Sequence, residues 1–171
     1  AAGEIALDRE LFGRVRTDRL AAVEQAARDP KTSPHARLLL LRTAATHSGY
    51  LGEWAGTAAR EIVENTPVDG YSGDTSDLPG LVLAALEVLD MGKTEISASS
   101  LQRWLHAANP ALAEQAVVML GRASPGIERS AVAEALSDPR LPAQTRTFLE
   151  DRLHRLDRQA AGPKAQKEGS D

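Results

Sequence analysis

Leu101 to Ala123, LQRWLHAANPALAEQAVVMLGRA, constrains the fold more than any other stretch. Leu101, Trp104, Leu105 and Ala108 recur at i, i+3, i+4 and i+7, which is one face of a helix. Pro110 has no backbone N–H to donate, so it ends that helix and pre-sets the first turn of a second. Leu112, Ala116, Met119, Leu120 and Ala123 continue the apolar stripe. Neither short helix can bury its stripe alone. Each must pack on the other and on neighbours, so the chain has to be built from helix pairs.

Weaker copies of the unit occur elsewhere. Asp29-Pro30, Asn65-Thr66-Pro67, Asn109-Pro110 and Asp138-Pro139 each end a helical pattern, and their prolines lie 37, 43 and 29 residues apart. Helices are expected over Glu4–Arg16, Asp18–Arg28, Ser33–His47 and Leu51–Glu64. Further ones are expected over Leu78–Met91, where Gly92 stops the helix, and from Ser124-Pro125 and Pro142 onward. Leu81 to Leu86, LVLAAL, is apolar all round and is expected at the centre of the core. Ile127, Ala131, Val132, Ala135 and Leu136 should face inward on their helix, as should Thr145, Phe148, Leu149, Leu153 and Leu156 on the last. The pattern fades from Ala160, so residues 1–158 read as one helical domain and 159–171 as a flexible tail. Aromatic residues make up only 4% of the chain, so the core must be Leu, Val and Ala packed closely.

NPALAEQAVVMLGRA resembles the second half of a HEAT repeat. That family's pattern is Asp-Pro, a short spacer, Arg, and then a helix ending in Leu-Gly. Asp29-Pro30 with Arg37, and Asp138-Pro139 with Arg146, look like the same motif with two extra residues. The third junction departs from it, with Asn109 and Gln115 in the Asp and Arg places. The resemblance implies an all-α fold: a right-handed stack of about four antiparallel helix pairs, a HEAT-like α-solenoid, with an N-terminal capping helix.

Charge narrows the function. Residues 1–65 carry nine basic and nine acidic side chains, residues 106–171 again nine and nine, and residues 66–105 two and six. The net charge of −4 therefore sits wholly in the middle. A non-specific nucleic-acid binder needs a basic stripe, and no segment supplies one. No run of eighteen apolar residues suggests a membrane span. No cysteine is present, which removes thiolate catalysis and cysteine zinc sites. His35, His47, His106 and His154 sit on four different helices, none in an HExxH arrangement. The serines at 97, 99 and 100 form no nucleophile elbow, and Gly-Tyr-Ser-Gly at 70–73 lacks the lysine of a phosphate loop. No catalytic residue, metal site or cofactor is expected. A start at Ala1 is compatible with a mature exported chain or one cut from a longer protein, so cytoplasmic and periplasmic locations both stay open.

Val68 to Ser76, VDGYSGDTS, is the one long insertion. Its spacing fails the EF-hand pattern, because Tyr71, Gly73 and Gly80 stand where ligands belong. Asp69, Asp74 and Asp77 with Tyr71 are the expected partner-binding residues, suited to a basic protein. The expected function is thus non-catalytic protein–protein interaction, as a scaffold or adaptor. An inhibitor, immunity or regulatory subunit binding through this loop is the first alternative. A lyase or glycosylase on a HEAT-like scaffold is the second.

Overall fold

In a computed structural model the described residues are 17–46, 52–68 and 78–161. They are all-helical, with no strand among them. The chain divides into two compact units, Ala1–Leu101 and Gln102–Asp171.

The first unit holds α1 (Thr17–Arg28), α2 (Pro34–Thr46), α3 (Gly52–Asn65) and α4 (Leu78–Met91). The hydrophobicity of α4 makes it the hub, packed on both α2 and α3. It buries Leu81, Val82, Ala84, Ala85, Leu86, Val88 and Leu89. Leu83, expected inside with them, is only half-buried, because the helix keeps one narrow side outward. Ala55, Ala58 and Ala59 of α3 are buried and let the helices approach closely. At Gly56 an added Cβ would lie 2.7 Å from Thr94 Oγ1, so that position has no room for a side chain. Arg42 ties α2 to α4 through Glu87 at 3.0 Å. Trp54 packs on Val23, Ala27 and Leu40, and its indole N–H finds no acceptor.

The stop after α4 differs from the expected glycine. Lys93, not Gly92, takes the left-handed conformation, at φ 49°. Thr94 N–H then reaches back to Leu89 O at 2.9 Å and Lys93 N–H to Asp90 O at 3.3 Å. These are the two bonds that satisfy the last carbonyls of a helix ending in a Schellman turn. Chain reversal here is fixed by hydrogen bonding, with the strain falling on a lysine.

The helix α5 (Ala98–Gln102) ends the first unit and begins the second. Ser97 caps it, accepting from Ser100 N–H at 3.1 Å. The expected Leu101–Ala108 helix is not continuous, because Arg103–His106 tightens to a 3-10 turn. The turn places adjacent Trp104 and Leu105 inside together and leaves Ala108 exposed. Asn109 then caps α6 (Pro110–Ala123), its side chain accepting from Ala111 N–H at 3.0 Å. Next come α7 (Pro125–Ser137) and α8 (Ala143–Ala161). The helix α7 packs on α6 and on α8 around Leu112, Ala116, Leu120, Val132 and Leu149.

The register of α7 departs from expectation. Its buried stripe is Glu128, Ala131, Val132 and Ala135, while Ile127 is 40% exposed. Those four positions fall at i, i+3, i+4, i+7 without a gap, and the glutamate is tolerated inside because Arg152 of α8 meets it at 2.5 Å. Gly121 makes room for this carboxylate, since any Cβ there would overlap it. Leu136, Phe148 and Leu153 are half-buried, not fully inside.

Candidate functional site

Asp69, Tyr71, Asp74 and Asp77 lie outside the described residues, so the candidate site is built from other side chains. The described polar groups fall into two classes: those spent on holding helices together and those left on an outer face.

The first class includes one device used twice. Asp29-Pro30 through Arg37 and Asp138-Pro139 through Arg146 adopt the same hydrogen-bonded turn, one in each unit. The aspartate Oδ1 accepts from the N–H two residues on, Lys31 at 2.8 Å and Arg140 at 2.9 Å. The arginine reaches back over the turn to carbonyls at the end of the preceding helix and its cap. Arg37 donates to Ala27 O at 2.9 Å and Arg28 O at 3.5 Å. Arg146 donates to Leu136 O at 3.0 Å and Asp138 O at 2.7 Å. Four carbonyls at a helix end lack intrahelical donors, and a cation there satisfies them and opposes the helix dipole. Burial pushes the Arg37 guanidinium below its ordinary value, and Asp29 partly offsets this.

A histidine and an aspartate come near each other at the second turn. His106 Nδ1 stands 3.6 Å from Asp138 Oδ2, beyond a hydrogen bond. Asp138 is already engaged by the Arg140 side chain at 3.2 Å and by its backbone N–H. Those Arg140 bonds, with a smaller contribution from His106, hold the Asp138 carboxyl below the usual carboxylate range. Thr145 is buried and donates to Ala107 O at 2.7 Å. The aspartate is thus a poor proton acceptor and the threonine is committed to the backbone, an arrangement that fastens α8 to the preceding turn. Among the described residues no three His, Cys, Asp or Glu side chains gather to hold a metal ion.

The second class lies on α8. Asp151, His154, Arg155 and Arg158 repeat at i, i+3, i+4, i+7 and line one shallow, open depression. All four are exposed, on the side of the helix away from buried Thr145, Leu149 and Leu156. Other arginines of this unit are occupied. Arg103 lies over the Trp104 ring at 5.4 Å, Arg129 pairs with Asp157 at 2.8 Å, and Arg152 with Glu128. Arg155 and Arg158 have no carboxylate partner among the described residues. Each donates Nε to a carbonyl one turn back, to Asp151 O at 3.3 Å and to His154 O at 3.4 Å. Sequence reasoning does not single out this stripe. Its spacing is visible there, but so are several other charged helix faces, and only the pairing in three dimensions separates it from them.

No family model, curated protein or solved structure matches this chain. Among the described residues no helix is long and apolar enough to cross a membrane.

Proposed function

We propose that the protein is a non-catalytic protein–protein interaction domain, a scaffold or adaptor built from HEAT-like helix pairs. The observation that carries this reading is the Asp-Pro to Arg turn, which recurs in both compact units with the same aspartate cap and with an arginine reaching the carbonyl two residues before that aspartate. It supports repetition of a helix-pair building block, and stacked helix pairs present long surfaces without needing a reactive group. The use of polar groups agrees with it. Asp138, Thr145, Arg37, Arg146 and Glu128 are bound into turns and clamps, and outer helix faces are left as the available surface.

Within this reading the acidic 68–77 stretch meets a basic partner through Asp69, Tyr71, Asp74 and Asp77. That assignment rests on charge alone: the entire net −4 of the chain lies in residues 66–105. Affinity purification of the tagged chain from its native host, followed by cross-linking mass spectrometry, tests the reading. The expected result is a defined stoichiometric protein complex. Turnover of a small molecule by the purified chain alone would overturn it. Replacing Asp69, Asp74 and Asp77 with Asn separates the loop from the rest of the surface. If the loop is used, association with the captured partner slows, most of all at low salt where exposed charge is least screened.

A further inference from the structure

We infer that the Asp151–His154–Arg155–Arg158 face of α8 is a docking surface for a protein segment that carries paired carboxylates beside a basic group. The inference rests on the binding reading above and names a site and a partner chemistry for it. Three features of the face point there. The first is unused capacity. In a unit where arginines serve as caps, ring contacts and ion pairs, Arg155 and Arg158 hold, among the described residues, only carbonyls of their own helix. An arginine fork is matched to a carboxylate, which it can bind through two parallel hydrogen bonds.

The second is preorganisation. Both side chains are tethered in the same way, Nε to the carbonyl four residues back, so both guanidinium groups lie along the helix on the same side. Fixing a long side chain before binding removes part of the entropy lost when it pairs. Arginine is also the charged residue most enriched at protein interfaces.

The third is the mixed sign of the stripe. Asp151 sits within it, one turn from both His154 and Arg155, and accepts no ion pair among the described residues. A polyanion such as nucleic acid or an anionic lipid surface would meet this carboxylate with repulsion. Residues 106–171, with nine basic and nine acidic side chains, provide no net field to draw a polyanion in. A protein surface bearing acids opposite the arginines and a lysine or arginine opposite Asp151 meets Asp151, Arg155 and Arg158 together.

The test uses the full chain, labelled with nitrogen-15, observed through backbone amides and arginine Nε–H signals. The probe is an alanine-based helical peptide of about 16 residues with two glutamates one turn apart and a lysine beside them. A second peptide has both glutamates changed to Gln, and polyphosphate serves as the polyanion. The glutamate peptide is expected to give saturating shifts centred on residues 151–158, with the Gln peptide giving none. Arg155→Gln with Arg158→Gln should weaken the apparent affinity by about tenfold, the scale of one charge-assisted bond, with helix content unchanged. Asp151→Asn should weaken the peptide and strengthen polyphosphate. Polyphosphate binding the wild type more tightly than the peptide overturns the carboxylate assignment. Peptide shifts on another helix surface overturn the site and leave the binding reading standing. No shift with either glutamate or Gln peptide overturns the inference, and the host complex then decides the broader reading on its own.

Discussion

The buried pair of Glu128 and Arg152 permits a prediction whose sign depends on an asymmetry in the structure. The Glu128 side chain is 3% exposed and that of Arg152 28%. Arg152→Met leaves a carboxylate with no cation and almost no water, which costs about 3 kcal/mol, the low end for breaking a buried pair. Glu128→Gln leaves a partly solvated guanidinium that can still donate to the new amide oxygen, at a cost of about 1 kcal/mol. The double variant contains no buried charge, so its loss should be smaller than the sum of the two by about 1–2 kcal/mol. Urea unfolding followed by Trp104 fluorescence reads this out, in a Trp54→Phe background so that only the second unit reports. Trp104 is fully buried there, and Trp54 has no acceptor for its N–H, so the background change is mild. A Glu128→Gln loss equal to or larger than the Arg152→Met loss, or strict additivity, refutes the argument that the carboxylate is the group that cannot reach solvent.

The turns give two further expected outcomes. Arg146→Met should cost about 2 kcal/mol and Arg37→Met about 1, because Arg146 bonds its carbonyls at 3.0 and 2.7 Å and Arg37 at 2.9 and 3.5 Å; thermal melts of the two variants rank them, and the reverse order refutes the capping account. Asp138 is held below its ordinary value of 3.8 by Arg140, so the stability it adds is complete above that value and fades as pH falls through the lower folded one. Denaturation midpoints of wild type and Asp138→Asn should therefore differ at neutral pH and converge in acid, and a gap that persists to the lowest pH argues against the assignment.

Much of this fold can be read from turn chemistry. Prolines and capping residues locate the starts of α2, α6 and α7, and the apolar content of α4 marks the hub. The rest is decided between helices, where sequence is silent. Ile127 looks like a core residue and Glu128 like a surface one until Arg152 arrives from α8 and Gly121 clears space on α6. Lys93 resembles any surface lysine, and only the bonds from Thr94 and Lys93 reveal the left-handed turn. Sites obey the same rule. Charge counting points to Asp69, Asp74 and Asp77, because an excess in one segment is visible in sequence. The α8 stripe has no excess to notice. It stands out because its arginines lack, among the described residues, the partners that neighbouring arginines have, and partners are a property of the fold.

The recurrence of one turn in DPKTSPHAR and DPRLPAQTR shows which side chains carry it. The two share Asp, Pro, a basic third residue and the final Arg, and little else. In both, the arginine is the fourth residue of the following helix, at Arg37 in α2 and Arg146 in α8. From there a long side chain spans the turn and meets the carbonyls of the previous helix. At the third junction Asn109 is itself the cap of α6, with Pro110 the first helical residue. The spacer between cap and helix is gone, and the fourth residue of α6 is Ala113, fully buried. An arginine there would point into the core, and the Gln115 that occupies the arginine's place in the repeat pattern lies further along the helix. Lengthening this junction would therefore be needed before any arginine could cap across it. The absence of the motif at Asn109 is a consequence of the short linker: the 3-10 turn at Arg103–His106 closes on itself, with Ala107 N–H bonded to Trp104 O at 3.1 Å and Ala107 O taken by Thr145. Thr145, the residue just before Arg146, thus satisfies part of a junction that has no arginine of its own.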